Sequence, residues 1–558
     1  MAIIGPRLVW WGTIALMGFT VFYPSVLLVV ESFRTGQGTF TLDMYRTLFR
    51  DPEILTSMFN SLKVVVPATL IGTLLGVVLA FIVARTDIPG KKLWQSLIVT
   101  PYLIPPFVGA ISWTYLLGPV GLVNNLYMSW SGATDPLIDI YSIGGMIFVM
   151  SLYGYAVPYI VVLPAIQKID SAVEEAGRIS GATQRRIMKD ITLPLILPSI
   201  MGGMLLLFMN LLADFGIPAV LGTPERISLM TTQIYKAILS PDMPNNLQIA
   251  SANSILLALF GIIGLQLYDK TIKSSKYAVI SGKSGSGENT KLGKWKIPAV
   301  LFLAFVFLVT SVAPIGAALY TSLIKAVGAG ASWANITLHN YVTLFQIESI
   351  KRALLNSFSL AAISGLAIAV LSLLLSYMII REKMIGSKVA QTLVALPYAV
   401  PGTIVGLAMI LAFAKPLPVV GWQLYSTYWI LLVAYLARFM NLGMQTISGA
   451  ITQIHPSLEE ASRISGASQM ATFRRILLPL LRPSFYAAFF LVMMPALGEI
   501  TLSSLLWSVG NETIGVVVFS SQEEGKIVIT AALAIVLIAF VIGINILTKL
   551  FSKGKVGI

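Results

Sequence analysis

Apolar runs of about twenty residues, the length that crosses a bilayer as helix, recur along this 558-residue chain. They fall at 8–30, 64–84, 93–117, 143–166, 195–214 and 249–268. A second set follows at 297–320, 354–380, 389–414, 427–451, 483–508 and 527–548. Hydrophobic residues fill 56% of positions and charged residues 11%, a balance that cannot cover a water-facing surface, so lipid must solvate the chain. The first run, "LVWWGTIALMGFTVFYPSVLLVV", is too long for a cleavable signal and lacks a small-residue cleavage site, so it reads as a span. After the sixth run comes "DKTIKSSKYAVISGKSGSGENTKLGKWK", whose polar, Gly/Ser-rich composition predicts a flexible linker. The expected fold is an all-α membrane protein of about 12 helices: a six-span half at 1–269, a linker at 270–296 and a second half at 297–558.

The net charge of +14 would suggest a nucleic-acid partner for a soluble protein. In a membrane chain, Lys and Arg instead mark the loops left in the cytoplasm. With the N-terminus inside, most of the 38 Lys and Arg residues fall inside, among them "ARTDIPGKK", the linker, "REKMIGSK" and the C-terminal "KLFSKGK". Both termini are therefore expected in the cytoplasm, with lipid and not nucleic acid as the surrounding partner. The absence of cysteine excludes disulfides and thiolate metal sites.

The two halves repeat. "NSLKVVVPATLIGTLLGVVLAFIVAR" from Asn60 parallels "NSFSLAAISGLAIAVLSLLLSYMIIR" from Asn356, and "TPYLIPP" at Thr100 parallels "LPYAVPG" at Leu396, both at an offset of 296. "EEAGRISGATQRRIMKDITLPLILP" from Glu174 and "EEASRISGASQMATFRRILLPLLRP" from Glu459 agree at 14 of 25 positions, offset by 285. The difference places about eleven extra residues in the first half, near "YMSWSGATDPLIDIYS". Six spans per half give both copies the same orientation, so the repeat axis runs along the membrane normal and a path along that axis is the economical inference.

Each charged copy predicts a helix, a bend and a second helix. Ser171-x-x-Glu174 and Ser457-x-x-Glu460 fit capping boxes. Gly181 and Gly466 supply the bend without side-chain cost. The second helix is expected to end at Pro194 or Pro479, with Pro198 or Pro483 in the first turn of the next span. Ala176, Ile179 and Ala182 offer a small apolar face that another surface can approach.

Glu175-Ala176-Gly177, then Gly181 and Ile191-x-Leu193-Pro194, resembles the EAA motif of ABC importer permeases; Glu460-Ala461-Ser462, Gly466 and Ile476-x-Leu478-Pro479 match it again. Both depart at the third letter, where small Gly177 and Ser462 replace alanine. The whole chain resembles fused, two-motif permeases of the ferric-iron branch, whose relatives handle thiamine, 2-aminoethylphosphonate, polyamines or oxyanions. The resemblance implies the type I importer (MetI-like) fold in a bacterial or archaeal plasma membrane. It makes Glu174, Glu175, Ala176 and Gly181, with Glu459, Glu460, Ala461 and Gly466, the loops that couple to two copies of a cytoplasmic ATPase. It further implies an extracytoplasmic solute-binding protein. ATP and Mg would be bound by the ATPase, and this chain would carry no cofactor and no catalytic activity.

Missing motifs agree with that division of labour. No GxxxxGK[ST] loop, HExxH, GxSxG or Cys/His cluster occurs, and the two histidines are His339 and His455. Within the spans, Asp214, Glu499 and Arg438 are costly unless paired or facing water. Either the carboxylates line a cation path, or Arg438 pairs with Glu499 as a structural tie. Tyr102, Pro105 and Pro106, with Tyr398 and Pro401, predict kinked helices that either form part of a gate or merely pack irregularly. Gly72 and Gly76 fit close helix contact. A secondary transporter would also show repeats and buried charges but gives no reason for twin hairpins, and a membrane enzyme lacks a reactive constellation.

Overall fold

The computed structural model describes residues 4–274, 290–328, 333–416 and 421–551, and no strand forms among them. Eleven helices are long and apolar enough to cross a membrane; a twelfth crossing results if Ser387–Tyr398 and Gly402–Phe413, bent by 110°, count as one. Each half is built around a long helix, Pro52–Arg85 or Glu348–Ile380. The first begins at Asp51, whose carboxylate accepts from the backbone N–H of Glu53 at 2.8 Å and Ile54 at 3.3 Å, while Pro52 sits where no donor is needed. Gly90 (φ +68°) and Gly386 (φ +86°), one 296-residue offset apart, start the helix after each.

Small residues let these helices meet. A Cβ on Gly76 would lie 2.5 Å from the carbonyl oxygen of Tyr155, and one on Gly72 3.3 Å from that of Ser151, so the expected close contact is made by backbone on backbone. In the second half the contact comes from the other helix: a Cβ on Gly443 would lie 2.6 Å from Ile368.

Among the described residues four π-helical turns interrupt the helices, at Gly18–Phe22, Met188–Thr192, Leu308–Val312 and Phe473–Leu477. Each is followed, two residues on, by a proline: Pro24, Pro194, Pro314 or Pro479. Proline removes an N–H and presses on the preceding turn, and a widened turn relieves both without stopping the helix. This corrects the expectation that Pro194 and Pro479 end a short helix. The second limb of each hairpin runs on into the span, as Gln184–Leu212 and Gln469–Leu497, with Pro198 and Pro483 inside it.

Two compact units form, but they are not the two sequence halves. One holds Met1–Thr47, Ile234–Ile255 and Ser322–Ile558; the other holds Leu48–Gln233 and Leu256–Thr321. The division at 269 and 297 is expected from the repeat along the chain, whereas packing groups the first span of each half with the later spans of the other. In the first unit the buried Trp10 indole donates to the carbonyl of Ile385 at 3.1 Å, and Phe19 meets Phe413 with ring centroids 5.2 Å apart. In the second unit Tyr155 hydrogen-bonds Thr310 at 3.3 Å, inside a π-turn, and donates to the carbonyl of Ile98 at 2.8 Å.

Most of "SGKSGSGENTK", Ser284 included, lies outside the described residues. Its end is docked: Thr290 N–H donates to the carbonyl of Arg85 at 2.8 Å, and Leu292 N–H donates to Asp87 at 2.9 Å. Lys296 lies 2.8 Å from the same carboxylate.

Two expectations follow. Gly76→Leu drives side-chain atoms into the Tyr155 backbone and costs about 3 kcal/mol or more, read as lost thermal stability in detergent; Gly543→Leu, with no atom within 4 Å, is tolerated. The Leu292 N–H and then the Lys296 ammonium hold the Asp87 carboxyl below its ordinary value. Its contribution to docking is present above that ordinary value and lost as pH falls through the lowered one. Asp87→Asn at neutral pH therefore speeds proteolysis at Lys291 and Lys294, and unchanged cleavage would count against the anchor.

Candidate functional site

Each hairpin opens with a short helix, Ser171–Ile179 or Ser457–Ile464. The expected box at Ser457 does not form, and the Ser171 side chain on which the other depends lies outside the described residues. Asp170 caps the first helix by accepting from Ala172 N–H at 3.0 Å, and the His455 ring accepts from Ser457 N–H at 3.2 Å in the second. Glu174 and Glu459 turn inward instead, where both are buried. Their neighbours Glu175 and Glu460, with Ala176 and Ala461, are exposed. The bend is made at Gly181 and Gly466, each at φ +82°, a left-handed conformation that other residues adopt at a cost. No atom lies within 4 Å of a Cβ at either glycine, so the requirement is conformational.

The third motif letter faces the hairpin's own second limb. A Cβ on Gly177 would lie 3.0 Å from Ile191 and 3.3 Å from Ile187, and Ser462 hydrogen-bonds Thr472 at 2.9 Å. Small size there closes the hairpin on itself. What the tip presents outward is isoleucine: Ile179 is 89% exposed and Ile464 87%.

The inward glutamates find partners that sequence reasoning missed. Arg85 Nη2 lies 3.1 Å from Glu174 Oε1, and the Thr192 hydroxyl donates to the same oxygen at 2.9 Å. Arg381 Nε lies 2.8 Å from Glu459 Oε1. The arginines close the two aligned strings "FIVAR" and "YMIIR", which was the available signal.

The intramembrane charges serve broken backbone. Arg438 donates from one guanidinium nitrogen to the carbonyls of Pro397 and Val400, at the break between Ser387–Ala399 and Gly402–Phe413. It also stands 6.0 Å over the ring of Tyr398, which is 45% exposed. Glu499 accepts from Leu502 N–H (2.9 Å), Ser503 N–H (3.0 Å) and the Ser503 hydroxyl (3.0 Å), leading the short helix Ser503–Leu506. Among the described residues Arg438 and Glu499 therefore form no direct ion pair, which corrects that expectation. Asp214 accepts from Gly216 N–H at 2.9 Å, ahead of Gly216–Gly222. The two carboxylates lie just beyond helices that end at Leu212 and Leu497.

The first half breaks at the equivalent place, between Lys91–Leu103 and Pro106–Leu117, so the expected kinked span is two helices. Here the carbonyl of Pro101 takes the N–H of Ile104 at 3.2 Å. Tyr153 occupies the position of Arg438 in the 285-residue register and packs on Gly109, where a Cβ would sit 1.7 Å from its hydroxyl. Tyr102, next to Pro101, is 42% exposed. Among the described residues no three His, Asp or Glu side chains are placed to hold a metal ion.

The model of one family, the binding-protein-dependent transport system inner membrane component, matches residues 72–273 and 368–556. The chain is 26% identical over 537 residues to the ferric transport system permease protein FbpB of Actinobacillus pleuropneumoniae, covering 95% of this chain and 76% of that protein. It is 22% identical over 536 residues to the Fe(3+)-transport system permease protein FbpB 2 of Haemophilus influenzae, covering 94% and 95%. A crystal structure of a bacterial alginate ABC transporter, in complex with an alginate pentasaccharide-bound periplasmic protein, is similar at 25% identity and a TM-score of 0.37. That likeness covers 43% of this chain and 85% of that one.

Arg438→Lys keeps the charge but not the geometry, because a single ammonium cannot replace the planar guanidinium at this break. Leaving a buried carbonyl unpaired costs about 1–3 kcal/mol, which thermal unfolding in detergent will register. Wild-type stability for the lysine variant would remove the assigned role.

Proposed function

The chain belongs to the binding-protein-dependent transport system inner membrane component family, and from that membership we propose that it lines the path of an ATP-driven importer and docks two cytoplasmic ATPase subunits, one per hairpin. The observation that carries the docking is the exposed isoleucine at each tip. Ile179 sits between Arg178 and the Gly181 bend, with Glu175 one turn back, so this charged helix does not lie in lipid. An apolar tip ringed by charges suits the cleft of another protein. The excess of Lys and Arg on the hairpin side supports a cytoplasmic location for that partner. ATP and Mg would be held by the partner, and a binding protein would deliver substrate on the opposite face.

Ferric iron is the substrate we propose, on the strength of the two relatives named for it. Asp214 and Glu499 do not carry that reading, since both are engaged in capping helices. They can still present negative potential beside a passing cation, and a wet, transient path suits a cargo that must be released.

Ile179→Asp with Ile464→Asp leaves stability within about 0.5 kcal/mol, as exposed positions do, and abolishes co-purification of the ATPase. Retention of the ATPase by that variant would overturn the docking assignment. Uptake is measured in vesicles holding the transporter, its ATPase and its binding protein. ATP-dependent iron accumulation is expected; phosphonate or thiamine uptake without iron would retire the iron reading alone, and ATP-independent uptake would retire the importer.

A further inference from the structure

The same buried ion pair is built twice, from residues far apart in the chain. In the first half Arg85 and Glu174 retain only 12% and 8% of their side-chain exposure, in the second Arg381 and Glu459 12% and 7%. Arginine repeats at the 296 offset and glutamate at 285, so each pair joins the end of a long helix to its own hairpin. A third element closes on each. In the first half it is Thr192, in the π-turn that opens the next span. In the second, Arg381 Nη2 donates to the carbonyls of Ile451 at 3.1 Å and Ile454 at 2.5 Å, where the helix Tyr428–Gln453 ends.

Burying two charges is expensive, and an apolar pair of similar volume often holds a fold as well or better. A charge pair adds register instead, because the planar guanidinium donates to its carboxylate in few orientations. Nothing on the exposed face of either hairpin helix requires the pair, since Glu175, Ile179, Glu460 and Ile464 all point outward. Contacts at Gly177 and Ser462 hold the two limbs of each hairpin together, and the ion pair is what ties the first limb to the long helix.

We propose that Arg85–Glu174 and Arg381–Glu459 are struts that transmit movement of each hairpin to the long helix of its own half. The proposal rests on the importer reading for what moves the hairpins. The arginines are positioning residues: they touch neither ATPase nor cargo, and they decide whether displacement at the tip reaches the span. Without a strut, the ATPase still docks at the isoleucine tip, but substrate delivery and hydrolysis lose their link.

The test uses the full transporter in vesicles, with its own ATPase and binding protein. The apolar pair Arg85→Met with Glu174→Leu, combined with Arg381→Met and Glu459→Leu, is expected to keep the ATPase through purification. Its ratio of substrate-stimulated to unstimulated hydrolysis falls about tenfold, within the usual range of a coupling between sites. The reversed pair Arg85→Glu with Glu174→Arg should recover more of that ratio than either single change. Because the chain has no cysteine, Arg85→Cys with Glu174→Cys, in the chain that carries Arg381→Met and Glu459→Leu, can be joined by a bis-methanethiosulfonate linker as a replacement strut; each thiol displaces a sulfinate and forms a disulfide that a reductant cleaves. The ratio should rise with the bridge and fall back to the level of the apolar variant on its reduction, in the same folded sample. Equal stimulation before and after reduction, or full stimulation in the apolar variant, overturns the strut. Failure of the unmodified chain to retain any ATPase would instead overturn the importer reading.

Discussion

A backbone amide or carbonyl that leaves a helix inside a bilayer has no water to turn to, and an unpaired one costs several kcal/mol. That constraint organises this molecule more than any packing preference. Where a span breaks at Val400, an arginine supplies the missing donors. Where Leu502 and Ser503 begin a new helix, a glutamate supplies the acceptor. Asp214 does the same for Gly216, and Arg381 for the last carbonyls before the second hairpin. Four prolines take the other course and widen the helix into a π-turn, so the chain continues without a break. The ionisable residues of the spans are thus first of all substitutes for lost helical hydrogen bonds.

The same constraint explains what the sequence made legible. Span positions follow from the length of apolar runs, and the repeat follows from quoted strings, because both are local. Gly181 and Gly466 were also legible, since a left-handed residue at a bend leaves few choices. The ion pairs were not. They join positions 89 residues apart in the first half, and the local capping pattern at Ser171 and Ser457 offered a competing use for acidic residues in the first turn. Pro194 was misleading for a related reason: a proline stops a helix in water more readily than in a span, where losing further hydrogen bonds costs more. The grouping of first spans left no local trace, because the Trp10 indole meets its partner carbonyl 375 residues away.

Arg438 shows how a correct class of residue can carry an incorrect partner. A charge in a span implies a partner, and Glu499 was the nearest opposite charge in the repeat. The backbone at Pro397 and Val400 had the prior need, since a carbonyl at a break has no other donor. Glu499 in turn had three donors of its own. Each charge is met by polar groups of broken helix, which are less visible in sequence than an ion pair.

The two halves meet the requirement differently, and fusion into one chain is what permits it. A pore made of two identical chains must use one solution twice. Here the first break is closed by a backbone turn from Ile104 to Pro101, with Tyr153 packed where the second half places Arg438. One neutral hydrogen bond serves the first break, whereas two carbonyls at the second accept from a guanidinium. Charge-assisted bonds are roughly twice as strong as neutral ones, so the second break is held by the stronger kind of bond. Two halves that share one architecture and one hairpin therefore close the same break with different chemistry.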